Sequence, residues 1–334
     1  VFPEPVTSSS FSSADDINLD NATGTITTQM SPIDNDNKTI WRGIFTPTTN
    51  VEVDNNTITL AASWTDQVGN PGTSVTTSNF EVDTLRPTAS SFTFSVTDNT
   101  TYNGTPFSGT PALKSSDNAT LTVVFSEPVV SFTSADISNP NVVLDNMTSS
   151  DNITWTGTFT PMDDTQLSRE RLRLYTSYND IKGNPGIGKY SSYIGTRGYY
   201  VVDTRAPSVS SLQLTDGVTT LSTFTDRCLP VHSNIIVEFD YNYMEPSYIT
   251  TSTSDTYCAG SIQVSSDNFS SCVRMSSEPT ASNNTNQTFI LDPYDNLSYY
   301  TTYKVRVTTG VKDVLGNNMS SQYDSSVFKT SSYP

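Results

Sequence analysis

The chain has 334 residues, 34% hydrophobic and 15% charged, with 34 Asp and Glu against 17 Lys and Arg for a net charge of −17. That length carries two or three domains with real cores, and no run nears the roughly 18 apolar residues of a membrane-spanning helix, which argues against membrane insertion. The acidic excess repels phosphate backbones and anionic surfaces, so nucleic acid is set aside as a partner. A solvated acidic surface accounts for such charge; divalent-cation binding by part of it is the sharper reading.

In chain order, alternation of apolar and polar residues with period two dominates, the signature of antiparallel strands with one wet face. The first such run, 58–64, places Ile58, Leu60, Ala62 and Trp64 together. Further strands are predicted over 92–96, 119–125, 153–159, 172–178, 199–202, 235–239, 288–291 and 303–308. The run 172–178 sets Leu172, Leu174, Thr176 and Tyr178 on one face. A helix-like stretch at 166–174 is claimed by its alignment with a strand, leaving at most one helical turn. The predicted fold class is all-β.

Four blocks recur in the same order about 120 residues apart. Val1-Phe2-Pro3-Glu4-Pro5-Val6 returns as Val124-Phe125-Ser126-Glu127-Pro128-Val129, and Trp41-Arg42-Gly43-Ile44-Phe45-Thr46-Pro47 as Trp155-Thr156-Gly157-Thr158-Phe159-Thr160-Pro161. Asp66 to Pro71 returns as Asp180 to Pro185, and Asp83-Thr84-Leu85-Arg86-Pro87 as Asp203-Thr204-Arg205-Ala206-Pro207. Each closing block ends a strand, and its proline cannot donate to a ladder, so pairing changes there. Three domains follow: 1–86, 87–206 and 207–334. The first copy is expected to lack opening strands, completed by upstream residues or by a strand from a neighbouring subunit. The second carries a Gly- and Tyr-rich insertion at 186–197 that the first lacks.

Three cysteines lie in the last third. Cys258 and Cys272 bracket a strand-like start and an Asp267-Asn268 turn, so a disulfide across a hairpin is expected, closing a loop worth about 3 kcal/mol in the entropy account. Cys228 is left over. Zinc is disfavoured by the spacing and by a single histidine, His232. Thirteen Asn-x-Ser/Thr sites exceed the roughly eight that composition gives and are compatible with glycosylation.

The strand ending in Phe-Ser-Glu-Pro-Val, the later Trp-x-Gly-x-Phe-Thr-Pro, the Asp-x-x-Gly-Asn turn and the closing Asp-Thr-x-x-Pro together resemble the bacterial Ig-like domains repeated in large surface adhesins, over residues 1–206. Residues 235–239, Met244-Glu245-Pro246 and the run from Tyr300 to Asn317 make the third domain similar to the S-layer-type Ig-like domain. The resemblance implies three tandem Ig-like β-sandwiches in an elongated rod, export to the cell surface, and no catalytic residues.

Asp-x-x-Gly-Asn occurs three times, at 66–70, 180–184 and 313–317. Its Asp can accept local backbone N–H bonds while Gly and Asn tolerate positive φ, which predicts a tight turn. The functional reading is calcium: at each junction the linker aspartate, Asp83 or Asp203, meets a sandwich end where turn carboxylates such as Asp66 and Asp180 gather. A plain hydrogen-bonded junction is the alternative, and no cofactor is required by the chain otherwise. Glu4 and Glu127 read as strand-exit residues, and Trp41, Trp64 and Trp155 as core. Tyr190, Tyr193, Tyr199 and Tyr200 with Arg197 form the best candidate interaction surface. No nucleophile, metalloprotease or phosphate-loop motif is present. Two functions remain open: a non-enzymatic extracellular stalk, adhesin segment or filament subunit whose partners are copies of itself or neighbouring repeats, and a module that binds a glycan or surface receptor.

Overall fold

The structure is a computed structural model and describes all residues except 35–37, 98–100, 103–106, 193–197, 218–219, 222–229, 241–242, 255, 283–285 and 332–334. Cys228, Tyr193 and Arg197 lie outside the described residues. Apart from two 3-10 turns at Ser134–Asp136 and Pro246–Tyr248, the described regular elements are strands.

The second domain shows how alternation becomes a sandwich. Ala119–Phe125 buries Ala119, Leu121, Val123 and Phe125 and leaves the intervening residues at the surface. It pairs antiparallel with Ala89–Val96 on one side and with Thr154–Pro161 on the other, and Val142–Leu144 extends the same sheet. The facing sheet orders Ser168–Arg171, Tyr199–Val202, Thr110–Leu113 and Thr101–Tyr102. Between them Phe92, Phe94, Leu121 and Phe159 meet Leu113, Leu172, Tyr200 and Val202. Each buried large side chain contributes about 1.5–3 kcal/mol of transfer free energy, so Leu121→Ala would cost about 2–5 kcal/mol with its cavity. The third domain repeats the plan, with Val209–Thr215, Asn234–Phe239 and Thr288–Leu291 facing Ile262–Ser265 and Thr302–Val307 across an apolar core.

In the first domain Gly24–Pro32 pairs with Trp41–Pro47, and Glu52–Asn56 with Phe80–Asp83. Its core is aromatic: Phe2 packs edge-on against Phe11 and Trp64, and Phe11 against Trp41. An apolar groove of about 450 Å³ lined by Ile17, Ile26, Met30, Trp41 and Phe45 lies open beside these strands. The corresponding inner face of domain two is covered by Phe92, Phe94 and Leu121.

Two predicted strands are shorter than expected. The strand predicted over 58–64 is only Thr59–Leu60, and that over 172–178 stops at Leu174. The chain turns away because a buried aspartate captures it: Ala61 N–H donates to Asp16 O and Ser63 Oγ to the Asp16 carboxylate, while Tyr175 N–H and Ser177 Oγ do the same at Asp136. Ala62 and Thr176 are accordingly exposed. The run at 166–174 carries strand, as its alignment implied: Ser168–Arg171 pairs with Tyr199–Val202. Within the longer segment at 186–197 of the second copy, the strand Lys189–Tyr190 has a counterpart in the first. Val75–Thr76 pairs with Thr59–Leu60 as Lys189–Tyr190 pairs with Arg173–Leu174, so the second copy lengthens a segment the first already has, from eight residues between Pro71 and Phe80 to fourteen between Pro185 and Tyr200.

Cys258 and Cys272 are joined by a disulfide with Cα atoms 4.9 Å apart. The bridge does not span a hairpin, because Ile262–Ser265 pairs with Thr302–Val307 and the return is a loop. Asp267 shapes that loop by accepting from Ser271 N and Ser271 Oγ, with Asn268 and Phe269 at positive φ.

Candidate functional site at the domain junctions

Each Asp-x-x-Gly-Asn element is a tight turn built by its own aspartate. Asp180 accepts from Lys182 N at 2.8 Å, Asn184 N at 2.9 Å and Asn184 Nδ2 at 2.8 Å. Asp66 and Asp313 accept the equivalent bonds. The central glycine has φ of +94°, +93° and +87° at Gly69, Gly183 and Gly316, where a side chain would be strained. In the first two copies Pro-Gly follows, and Gly186 lies so close to the buried Tyr178 ring that an added Cβ would sit 2.1 Å from it.

The turn also grips the preceding domain. Asn184 Nδ2 donates to Asp83 O at 3.2 Å and Asp83 Oδ1 at 3.3 Å, and Asn317 Nδ2 donates to Asp203 O at 2.9 Å. Thus the asparagine of the motif acts through its side chain, tying the turn aspartate to the linker aspartate. Arg86 adds bonds from the first linker to Pro185 O and Gly186 O.

At the first junction Asp83, Glu127 and Asp180 each place a carboxylate oxygen within 4.8 Å of the others. Two ligands on one calcium, each about 2.4 Å from it, can be at most about 4.8 Å apart, so this spacing fits a single ion. Among the described residues it is the one group of three or more acidic, His or Cys ligands so arranged; Asp66 and Asp203 stand outside it. Glu127 Oε1 is buried with no hydrogen-bond partner. Burial, then the charges of Asp180, Asp83 and Glu52, push the Glu127 carboxyl up to about 7. Read from sequence as a strand-exit residue, Glu127 therefore completes the acidic group. The signal was its position in the repeat, which brings a strand end to the same sandwich pole as the turn.

The second junction is different. Asp203 and Asp313 are each 1% exposed. Burial and then the Asp313 charge push Asp203 up to about 7, and burial raises Asp313 despite the bonds it accepts. Tyr102, wholly buried with a hydroxyl lacking a partner, is pushed up to about 12 by burial and by nearby Tyr243, Asp203 and Asp313. Around them Tyr102, Ala112, Val201 and Leu315 form an apolar cluster shared by domains two and three.

Of the candidate interaction residues, Tyr190 is exposed, Tyr199 half-buried and Tyr200 fully buried with its hydroxyl donating to Pro140 O at 2.6 Å. Tyr200 therefore belongs to the core.

The family comparison agrees with this architecture. One bacterial Ig-like domain model matches residues 1–82 and 98–194, and another matches residues 203–330. No curated protein matches the chain. With the matched segments spanning most of its length and a sandwich built from the same blocks in each copy, the chain belongs to the family of bacterial Ig-like domains.

Proposed function

We propose that the chain is a non-enzymatic structural segment of an extracellular surface stalk, adhesin or filament, in which each Asp-x-x-Gly-Asn turn fixes its domain to the one before. Bacterial Ig-like domains are typical of surface or extracellular proteins and are generally structural modules. The observation that carries the reading is the repeated clasp from Asn184 to Asp83 and from Asn317 to Asp203. A spacer needs its domains held at fixed angles, and one side chain bonding both the turn and the linker does that. The Cys258–Cys272 disulfide suits an oxidising compartment. The run from Tyr300 to Asn317 supports an S-layer-type third domain. The test is to compare the distribution of inter-domain angles in the native chain and in the N184A/N317A double variant by small-angle scattering and negative-stain imaging. A broader distribution in the variant supports the clasp; an unchanged one would sink it.

The first junction adds a cation to this reading. Asp83, Glu127 and Asp180 supply three hard oxygen ligands, and the unpaired buried oxygen of Glu127 is satisfied once an ion sits among them. Calcium suits carboxylate and carbonyl oxygens and tolerates irregular geometry. Calorimetric titration with calcium, native against E127Q, checks it: heat of binding in both or in neither would count against the site.

A further inference from the structure

A second surface lies on the outer face of domain two, beginning beside Val201 and Phe107 at the second junction. Residues 168–174 alternate inward and outward, so Leu172 and Leu174 are buried while Arg169, Arg171 and Arg173 line up on the outer face. Arg171 stands directly opposite Tyr199, and Arg173 opposite Tyr190, on the paired strands. The guanidiniums lie over tyrosine rings: Arg169 is 4.0 Å from the Tyr199 centroid, Arg171 4.8 Å from Tyr190, and Arg173 5.5 Å from Tyr175. The result is a strip of three cations interleaved with three tyrosines, its charges repeating about every 7 Å along the strand.

Three of the chain's 17 Lys and Arg residues fall within five positions. None of the three pairs with a carboxylate among the described residues. Arg171 is tied to Ser191 O by Nε and Nη2, whereas Arg169 and Arg173 are exposed beside the rings, with no hydrogen bond from their guanidiniums to another described residue. A stacked guanidinium loses little freedom on binding a carboxylate, which it can grip with two parallel bonds. Tyr175 and Tyr190 are 40% and 51% exposed, offering apolar ring surface beside each charge.

We propose that this strip binds an anionic polysaccharide bearing carboxylates on its sugar rings. The whole-molecule charge of −17 opposes every polyanion, so binding must be won locally at the strip. A dense polyanion such as nucleic acid, with one charge per about 1.7 Å, or a broad anionic membrane meets the repulsion of the entire molecule. A thin polymer with one carboxylate per ring carries fewer charges per length than a duplex and meets the strip locally, its sugar faces lying on the tyrosine rings. A second copy of the chain would have to offer a matching acidic strip. One acidic set, Glu52 and Asp83 on paired strands with Glu81 beside them, already has Glu81 and Asp83 engaged at the first junction by Lys182 and Asn184. The choice of an extracellular polymer rests on the surface location proposed above; the stacking and charge do not.

The test titrates the 334-residue chain with polygalacturonate, with neutral dextran as control, by NMR shift mapping at low salt and again at physiological salt. Binding should map to the strip, weaken with salt, and fall by about tenfold or more in the R169A/R173A variant. R169K/R173K keeps the charge but loses the planar fork, so it should recover only part of the affinity. Thermal melting checks that each variant remains folded. Absence of binding at low salt, or affinity unchanged in R169A/R173A, would overturn the proposal. So would self-association that R169A/R173A abolishes, since a second copy would then be the occupant. Because the assay is run on isolated protein, its failure leaves the spacer reading untouched, and failure of the clasp test leaves this one untouched.

Discussion

The two junctions use the same turn at the same place and solve the contact with opposite chemistry. The third residue of Asp-x-x-Gly-Asn faces the strand that closes the previous domain, and the residue two before the closing aspartate faces back. At the first junction these are Lys182 and Glu81, which form an ion pair. At the second they are Leu315 and Val201, which share one apolar cluster. Domain one carries Val68 at that position, 83% exposed. The backbone of the clasp is therefore generic, while this pair sets whether a junction is wet and acidic or dry and apolar.

The largest expected effect breaks the dry junction. Leu315→Ala should lower the stability of domain three's docking by about 2–4 kcal/mol, since a buried side chain is lost and a cavity remains. Differential scanning calorimetry checks it by separation of the domain transitions. A melt indistinguishable from native would mean that Leu315 is not an anchor.

The next concerns protons. Asp203 rises from 3.8 up to about 7 on folding, so between those values the folded chain holds a proton that the unfolded chain has released. Stability then falls as pH rises through this window and levels off above it, by an amount on the order of a few kcal/mol. Asp203→Asn removes the buried charge and should reduce the slope, leaving the part that Glu127 contributes, with the variant more stable than native at pH 8. Melting curves from pH 4 to 8 decide it, and a native profile that rises across the window would refute the assignment.

Calcium should separate the junctions further. Chelation is expected to remove about 2.7 kcal/mol if the free ion had been about a hundredfold above its dissociation constant. The loss should vanish in Asp83→Asn and persist in Asp203→Asn. Equal sensitivity of both variants would erase the distinction drawn here. The smallest effect belongs to Lys182→Ala: this exposed pair is screened by salt, so a shift in melting temperature should be detectable only at low ionic strength.

Much of this was legible in the sequence because it is local. The runs at 119–125, 199–202 and 288–291 became strands with those bounds, and the three turns show the positive φ that their glycines announced. Partners distant in the chain were not legible. Only its place in the repeat, at a strand end on the pole that carries the turn, links Glu127 to Asp83 and Asp180. The shortening of two strands depended on Asp16 and Asp136, buried aspartates that look like ordinary loop residues until Ser63 and Ser177 are placed beside them. The arginines at 169, 171 and 173 stand inside a helix-like run that alignment assigned to a strand; a helix with the same spacing would have scattered them around its axis instead of aligning them.

The clasp also has a timing. Asn184 lies 101 residues beyond Asp83, and Asn317 lies 114 beyond Asp203. A chain emerging N-terminus first can fold each sandwich on its own, yet it cannot fasten one to the next until nearly the whole following domain has appeared and formed its late turn. During synthesis or passage through a pore the most recently completed domain therefore remains a free swivel, and joints set one after another from the leading end.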